Sequence, residues 1–330
     1  MNNIAMEQYG VGQPIRRKED QRFLTGAGRY VDDVSMPDMA HIYILRSPHA
    51  HAQIESIDTR AAAAAPGVLA VLTGADWVAD GLGGIPTRTA AKNSDDSPVP
   101  TPERQGLVAT RARFVGDAVA AVIAESPDAA REAAELIEID YQPLPAIISA
   151  DEALTPGAPL VWDDIPGNLC VRFEVGDASA VNDAIADAAH VVSMFLDNQR
   201  VTAAPLETRG AIAHYDSAGD RFVLVFASQN VHANRNQLAE QVFHIPTKQL
   251  RTVAYDVGGG FGAKNPLYPE HAVVLWAARR VGRPVKWISD RGESFLSDAH
   301  GRDQQSHVTL ALNAEGDFLA LRVASVGSVG

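Results

Sequence analysis

The sequence predicts an α+β fold in two units. Three observations predict it. Short alternating or continuously apolar runs of strand length are interleaved with amphipathic, capped helical runs. A proline-rich stretch from Pro143 to Pro159 divides the chain. Beyond it, a β-rich run from Leu250 to Val257 feeds into a loop with four glycines within five residues, Asp256-Val-Gly-Gly-Gly-Phe-Gly-Ala-Lys264. At 330 residues, with 46% hydrophobic and 21% charged content, the chain has an ordinary globular composition and room for about two domains.

Residues 1–20 read as an extended tail, and 21–148 as the first domain. His41 to Arg46, Ala52 to Ile57 and Val68 to Leu72 predict short strands, and Ala61 to Ala65 a helical turn. Residues 81–106 are rich in Gly, Pro, Ser and Thr, lack periodicity and predict a long surface loop. A β-α-β pattern follows. Ala118 to Ala124 is a strand, Ser126 caps a helix with Pro127 at its first position, and Ala129 to Leu136 continues that helix. Ile137 to Tyr141 alternates as the second strand.

Residues 149–159 read as a linker, and 160–330 as a second, incomplete domain. Asp177 caps a helix with the stripe Val181, Ala184, Ile185 and Ala188. Val191 to Leu196, Ala211 to Tyr215 and Phe222 to Phe226 predict strands, and Asn234 to Phe243 a helix. After the glycine loop, Glu270 to Arg280 predicts a helix with Val273, Val274 and Ala277 inward, and Pro284 to Ile288 a strand. Gln305 to Leu312 and Phe318 to Val326 form a hairpin around Asn313 to Gly316.

A net charge of -13 argues against a nucleic-acid partner, whose footprint is basic. No apolar run reaches the ~18 residues of a membrane span. The first twenty residues are polar, with Arg16, Arg17 and Lys18 and no apolar stretch behind them, so the expected location is cytoplasmic. The single cysteine, Cys170, holds neither a disulfide nor an iron–sulfur cluster by itself. Asn168 to Phe173 reads as a buried strand, where a cysteine is inert.

The glycine loop has three readings. It lacks the Gly-Lys-Ser/Thr of a Walker loop, since the order is Ala263-Lys264-Asn265. Gly258-x-Gly260-x-x-Ala263 fits a dinucleotide fingerprint, with Asp290 as a ribose-binding acid, but Pro266 and Pro269 separate it from the next helix. A structural glycine turn is the third reading.

Seven blocks in order carry a resemblance. The first is Ile15-Arg-Arg-Lys-Glu-Asp20 with Arg22-Phe-Leu-Thr-Gly26 and Gly28-Arg-Tyr-Val-Asp-Asp33. Arg46-Ser-Pro-His-Ala-His-Ala52, Val115-Gly-Asp-Ala-Val119 and Glu138-Ile-Asp-Tyr-Gln-Pro-Leu-Pro145 follow. The last three are Pro205-Leu-Glu-Thr-Arg209, Ser228-Gln-Asn230 and Gly258 to Lys264. Together they resemble the N-terminal part of the molybdenum-cofactor-binding large subunit of the xanthine dehydrogenase/aldehyde oxidase family, in its aerobic carbon monoxide dehydrogenase form.

The resemblance implies an α/β-hammerhead domain followed by part of a molybdopterin-binding α+β domain. It implies hydroxylation of an aldehyde, N-heterocycle or related small molecule, or oxidation of carbon monoxide. Water supplies the oxygen, and two electrons leave through molybdenum. Gln229 matches the glutamine that hydrogen-bonds an oxygen ligand of the metal. Phe261 and Gly262 match the Phe-Gly whose backbone lies at the apical oxygen, and Gly259 and Gly260 let the loop approach the cofactor. Asn265, in the substrate pocket, stands where purine-hydroxylating members carry a glutamate, which argues against xanthine as substrate.

The implied cofactor is molybdopterin cytosine dinucleotide. FAD and [2Fe-2S] clusters are expected on partners, a FAD-binding medium subunit and an iron–sulfur small subunit, in a dimer of heterotrimers. The family's later active-site loop and its glutamate base lie beyond Gly330, so the remaining half of the large subunit is a further expected partner, and the fragment alone is expected to be inactive. A non-catalytic scaffold subunit and an NAD-dependent dehydrogenase remain as alternatives. His49 and His51 share a strand face, as metal ligands can, but packing or hydrogen bonding is the expected role. Glu207 and Arg209 read as a structural ion pair or hydrogen-bond node near the cofactor.

Overall fold

A computed structural model of the chain describes residues 16–87 and 91–329. The predicted tail over 1–20 lies outside these residues as far as Ile15, and so does part of the predicted loop over 81–106. In chain order the elements are α1 (Asp20–Leu24), β1 (Ala40–Arg46), β2 (Ala52–Asp58), α2 (Arg60–Ala63), β3 (Val68–Thr73), α3 (Gly74–Ala79), β4 (Arg111–Ala112), β5 (Ala118–Ala124), α4 (Pro127–Ala134), β6 (Glu138–Pro143) and α5 (Ala150–Ala153). They continue with α6 (Ala178–Asp187), β7 (His190–Asn198), β8 (Gly210–Asp216), β9 (Arg221–Phe226), α7 (Val231–Gln237), β10 (Leu250–Val253), α8 (Pro269–Val281), β11 (Val285–Ile288), α9 (Arg291–Ser297), β12 (Gln304–Leu312) and β13 (Phe318–Gly327).

A seven-stranded sheet in the order β10-β9-β8-β11-β1-β5-β3 joins the two predicted units. The join is a short parallel pair, with Ala40 opposite Val285 and His41 opposite Lys286. Strand β5 reads Ala-Val-Ala-Ala-Val-Ile-Ala because both its faces are covered. Ala121 and Ile123 belong to the same core as α8, while Ala120 and Val122 meet Ala133 and Ala134 of α4. Ser126 Oγ accepts from the Ala129 N–H at 3.2 Å, so α4 starts where its cap predicts. Helix α8 is buried on every side from Glu270 to Ala278, and Trp276 meets Trp77 edge-on at 5.4 Å.

Several sequence expectations need correction. The β-α-β pattern holds in order, but its strands part: β5 lies in the large sheet and β6 in a second sheet, β4-β2-β6. The alternation of β6 leaves one of its faces in solvent, which a strand in the doubly covered sheet cannot do. Strand β10 ends at Val253, because the backbone turns away before the glycines to meet Arg29. Pro269 is itself the first residue of α8, so the helix is separated from the glycine loop as expected but begins one residue earlier than predicted. Helix α7 starts at Val231 and passes into a π-helical turn over Leu238–Val242. The stretch predicted as a linker contains α5.

Residues 169–174 form no strand. Gly167 and Asn168 take left-handed φ, and Arg172 and Glu174 pair with Asn93 and Ser94 of the long loop. Cys170 is half-buried there, and burial pushes its thiol pKa up. The third sheet, β13-β12-β7, carries α6 beside it, and Asp177 Oδ1 caps α6 at the Ala180 N–H as expected. Among the described residues no helix is long and apolar enough to cross a membrane.

Candidate functional site

The glycine loop is tied at both ends and in its middle. The Asp256 N–H donates to the Arg29 carbonyl at 3.0 Å, and its carboxylate accepts from the Arg29 N–H at 2.7 Å and from the Arg22 guanidinium. The Gly258 N–H donates to Glu207 Oε2 at 2.8 Å, and the Glu207 N–H returns to the Gly258 carbonyl at 3.1 Å. A Cβ on Gly258 would lie 2.5 Å from Glu207 Cβ, so only glycine fits. Gly259 and Gly262 have φ of +92° and +94°, a region that favours glycine.

Gln229 follows the end of β9 and organises the loop from outside. Its Oε1 accepts from the Gly262 N–H at 3.0 Å, and its own N–H donates to the Lys264 carbonyl at 2.9 Å. Among the described residues its Nε2 has no hydrogen-bond partner, and the residue is exposed. A Cβ on Gly260 would sit 2.4 Å from Gln229 Oε1. A side chain at 260 would therefore push the Gln229 amide away from Gly262. Phe261, at the apex, is a non-glycine residue with φ of +49°, and it is 79% exposed. Asn265 is exposed beside the loop, its N–H bonded to the Gly262 carbonyl at 3.1 Å. Gln229, Gly259, Gly260, Phe261, Gly262 and Asn265 thus meet in one place.

Below this surface lie charges that sequence reading missed or misassigned. Glu207 and Arg209 do not pair with each other. Glu207 Oε2 meets Lys264 Nζ at 2.7 Å, and burial lowers the Lys264 pKa against the pull of that carboxylate. The other carboxylate oxygen, Glu207 Oε1, is buried and has no hydrogen-bond partner among the described residues. Arg209 is fully buried and bonds Glu270 at 2.7 Å and Asp298 at 2.5 Å, and Glu270 also takes Arg46 at 2.6 Å. Arg46 reaches Glu293 as well, at 2.6 Å.

Burial opposes the charge on Glu270, yet Arg209 and Arg46 hold its pKa well below the usual carboxylate range. Glu293 goes the other way, because burial outweighs Arg46 and raises it. Burial, with Arg209 nearby, pushes His271 down to about 3. This network reaches the loop through Tyr268, whose ring lies 3.8 Å from the Arg209 guanidinium and whose hydroxyl donates to the Ala263 carbonyl at 2.5 Å. The charges of Arg209 and Glu270 are visible in the sequence, but their partners are not.

The other candidates are occupied elsewhere. His49 packs on Tyr141 at 4.8 Å, and His51 Nδ1 bonds the Pro145 carbonyl at 2.8 Å. Among the described residues no group of three or more His, Cys, Asp or Glu is placed to hold a metal ion. Asp290 caps α9, its Oδ1 accepting from the Glu293 N–H at 2.7 Å. Residues 261–264 form turns, and the next helix opens only at Pro269, so no helix N-terminus follows the glycines as a dinucleotide site requires.

The chain matches the family described as the molybdopterin cofactor-binding domain over residues 161–330. Over residues 25–145 it matches the a/b hammerhead domain of aldehyde oxidase and xanthine dehydrogenase. It is 34% identical over 318 residues to the 6-hydroxypseudooxynicotine dehydrogenase complex subunit gamma of Paenarthrobacter nicotinovorans, covering 96% of this chain and 39% of that one. It is 35% identical over 325 residues to the carbon monoxide dehydrogenase large chain of Hydrogenophaga pseudoflava, with 95% and 39% covered. Among solved structures, quinoline 2-oxidoreductase from Pseudomonas putida 86 superposes with a TM-score of 0.87 at 38% identity, over 95% of this chain and 39% of that one. Carbon monoxide dehydrogenase from Oligotropha carboxidovorans gives 0.86 at 34% identity, over 96% and 39%. The chain therefore spans about 39% of the length of these relatives.

Proposed function

The chain belongs to the xanthine dehydrogenase/aldehyde oxidase family of molybdenum-cofactor-binding subunits, and from that premise we propose that it is the N-terminal half of a molybdenum hydroxylase large subunit. The observation that carries this reading is the surface formed by Gln229 and the glycine loop. Gln229 spends its carbonyl on Gly262 and keeps its amide N–H groups unpartnered, beside an exposed Phe261 on left-handed backbone. These residues fit the cofactor. The loop offers glycine backbone with no side chains in the way, Gln229 offers a donor for an anionic oxygen, and Glu207 Oε1 is a buried acceptor without a donor.

When bound, the molybdenum cofactor supplies two-electron transfer. The chain's residues supply binding and orientation. Gln229 Nε2 steadies an anionic oxygen without adding a metal ligand. The Phe261 and Gly262 backbone would face the bound cofactor, and Gly259 and Gly260 would let the loop approach it, Gly260 by leaving Gln229 its place on Gly262. Asn265 lines the substrate pocket. As a neutral amide it offers no carboxylate to accept a purine proton, which favours an aldehyde, a non-purine N-heterocycle or carbon monoxide. Relatives named for carbon monoxide, 6-hydroxypseudooxynicotine and quinoline chemistry support that range.

We assign molybdopterin cytosine dinucleotide as the form of the cofactor. FAD and [2Fe-2S] clusters sit on medium and small partner subunits in a dimer of heterotrimers. Having one cysteine in 330 residues, the chain cannot supply a cluster's ligands itself. Metal and pterin analysis of the subunit purified in its complex tests this reading. The expected result is stoichiometric molybdenum, with a cytidine nucleotide released on hydrolysis. Bound nicotinamide and no molybdenum would overturn it.

A further inference from the structure

We infer that Glu207 and Lys264 are positioning residues that lock the glycine loop from beneath and set the direction of its outward-facing backbone. This inference rests on the reading of that loop as a cofactor cradle. One carboxylate oxygen, Glu207 Oε2, takes both the Gly258 N–H at 2.8 Å and Lys264 Nζ at 2.7 Å. Gly258 and Lys264 bracket the loop, so a single atom holds its two ends together. The Lys264 side chain is 1% exposed, and its carbonyl is in turn held by the Gln229 N–H.

A segment with four glycines has wide conformational freedom and does not fix its own N–H directions. Anchors outside the loop must do so. Gln229 fixes the middle at Gly262, and the Glu207–Lys264 pair fixes the ends. Stability alone is a poor reason for the pair. Burying a lysine is costly, and replacing a buried ion pair with neutral residues of similar size is often neutral or stabilising.

The test uses the complete large subunit in its assembled complex. Molybdenum and pterin per subunit and melting temperature are read for Glu207→Ala, Lys264→Met, and the double variant Glu207→Gln with Lys264→Met. Ile123→Ala, in the core strand β5, is a control for lost stability. The single variants are expected to lower retained molybdenum about tenfold, the scale on which removing groups that orient a metal site acts. Ile123→Ala, at an equal or larger fall in melting temperature, keeps its molybdenum. The double variant strands no charge and keeps an acceptor for Gly258, so it regains melting temperature but not molybdenum, because the Lys264 end is released. Recovery of molybdenum together with melting temperature overturns the inference, as does equal molybdenum loss in Ile123→Ala or full molybdenum in the single variants. If Gly260→Val also retains full molybdenum, the cradle reading itself fails. If Gly260→Val loses molybdenum while the pair's variants keep it, only the positioning role fails.

Discussion

Two apolar strands of this chain end in opposite environments. Every residue of β5 is buried, and every residue of β7 is exposed. Both carry Val, Ile, Leu, Met or Phe, but β5 has no polar residue, whereas β7 interleaves His190, Ser193, Asp197 and Asn198. Topology adds to the difference. Strand β5 lies between β1 and β3, with α8 over one face and α4 over the other. Strand β7 is an edge strand. Its register with β12 and β13 gathers Val192, Met194, Val308, Leu310, Leu321 and Val323 on one face. Helix α6 sits against the opposite face, where Arg322 bonds Asn182. The large sheet thus holds a closed core of its own, and the small sheet presents apolar surface outward.

That contrast predicts where substitutions matter most. Arg209→Met, within the buried charged network, takes the guanidinium from Asp298 and leaves Glu270 with Arg46 alone. Breaking such a network costs about 3–5 kcal/mol, read by denaturant unfolding. Met194→Ser, on the face of β7, is expected to cost under about 0.5 kcal/mol and to reduce self-association seen by light scattering. Similar costs at the two places would break the comparison.

The proposed function also places a role just beyond β9 of the large sheet, at Gln229. Gln229→Ala in the complete enzyme is expected to lower kcat by about 10²–10³-fold, the usual loss for one preorganised donor. Unfolding midpoints should stay close to wild type, because the residue is exposed. Normal turnover would remove Gln229 from the role proposed for it.

A smaller effect sharpens the picture at the entry to β5. Burial outweighs the Arg113 N–H and pushes the Asp117 pKa up to about 6. The folded state then holds a proton that the unfolded state has already released. Stability therefore falls as pH rises from about 4 to 6, by on the order of 3 kcal/mol from this group, and levels off above. Asp117→Asn keeps an acceptor for Arg113 and should flatten that part of the pH–stability curve. An unchanged slope would place the titration elsewhere.

Local signals in the sequence were legible because their physics is local. The caps at Ser126 and Asp177, the span of α8 and the β12–β13 hairpin all appear where their patterns predict, although α8 is buried all round and not on one stripe alone. The single sheet was not legible, since it depends on β1 meeting β11 from the far part of the chain. The run around Cys170 has strand composition, but its partner is the loop at Asn93 and Ser94. The glycine loop and Gln229 could be named from resemblance. That a side chain at 260 would meet Gln229, and that Lys264 is buried against Glu207, follow only from folding.

The central claim is that the glycine loop and Gln229 hold the molybdenum cofactor. Molybdenum per subunit in wild type and Gly260→Val, measured beside melting temperature, tests it most directly. A Cβ at 260 displaces Gln229 Oε1, which lies 2.4 Å from where that carbon would sit. A several-fold loss of molybdenum is expected, with little change in soluble yield or melting temperature. Unchanged molybdenum beside a large fall in melting temperature would contradict it and leave the loop a structural turn.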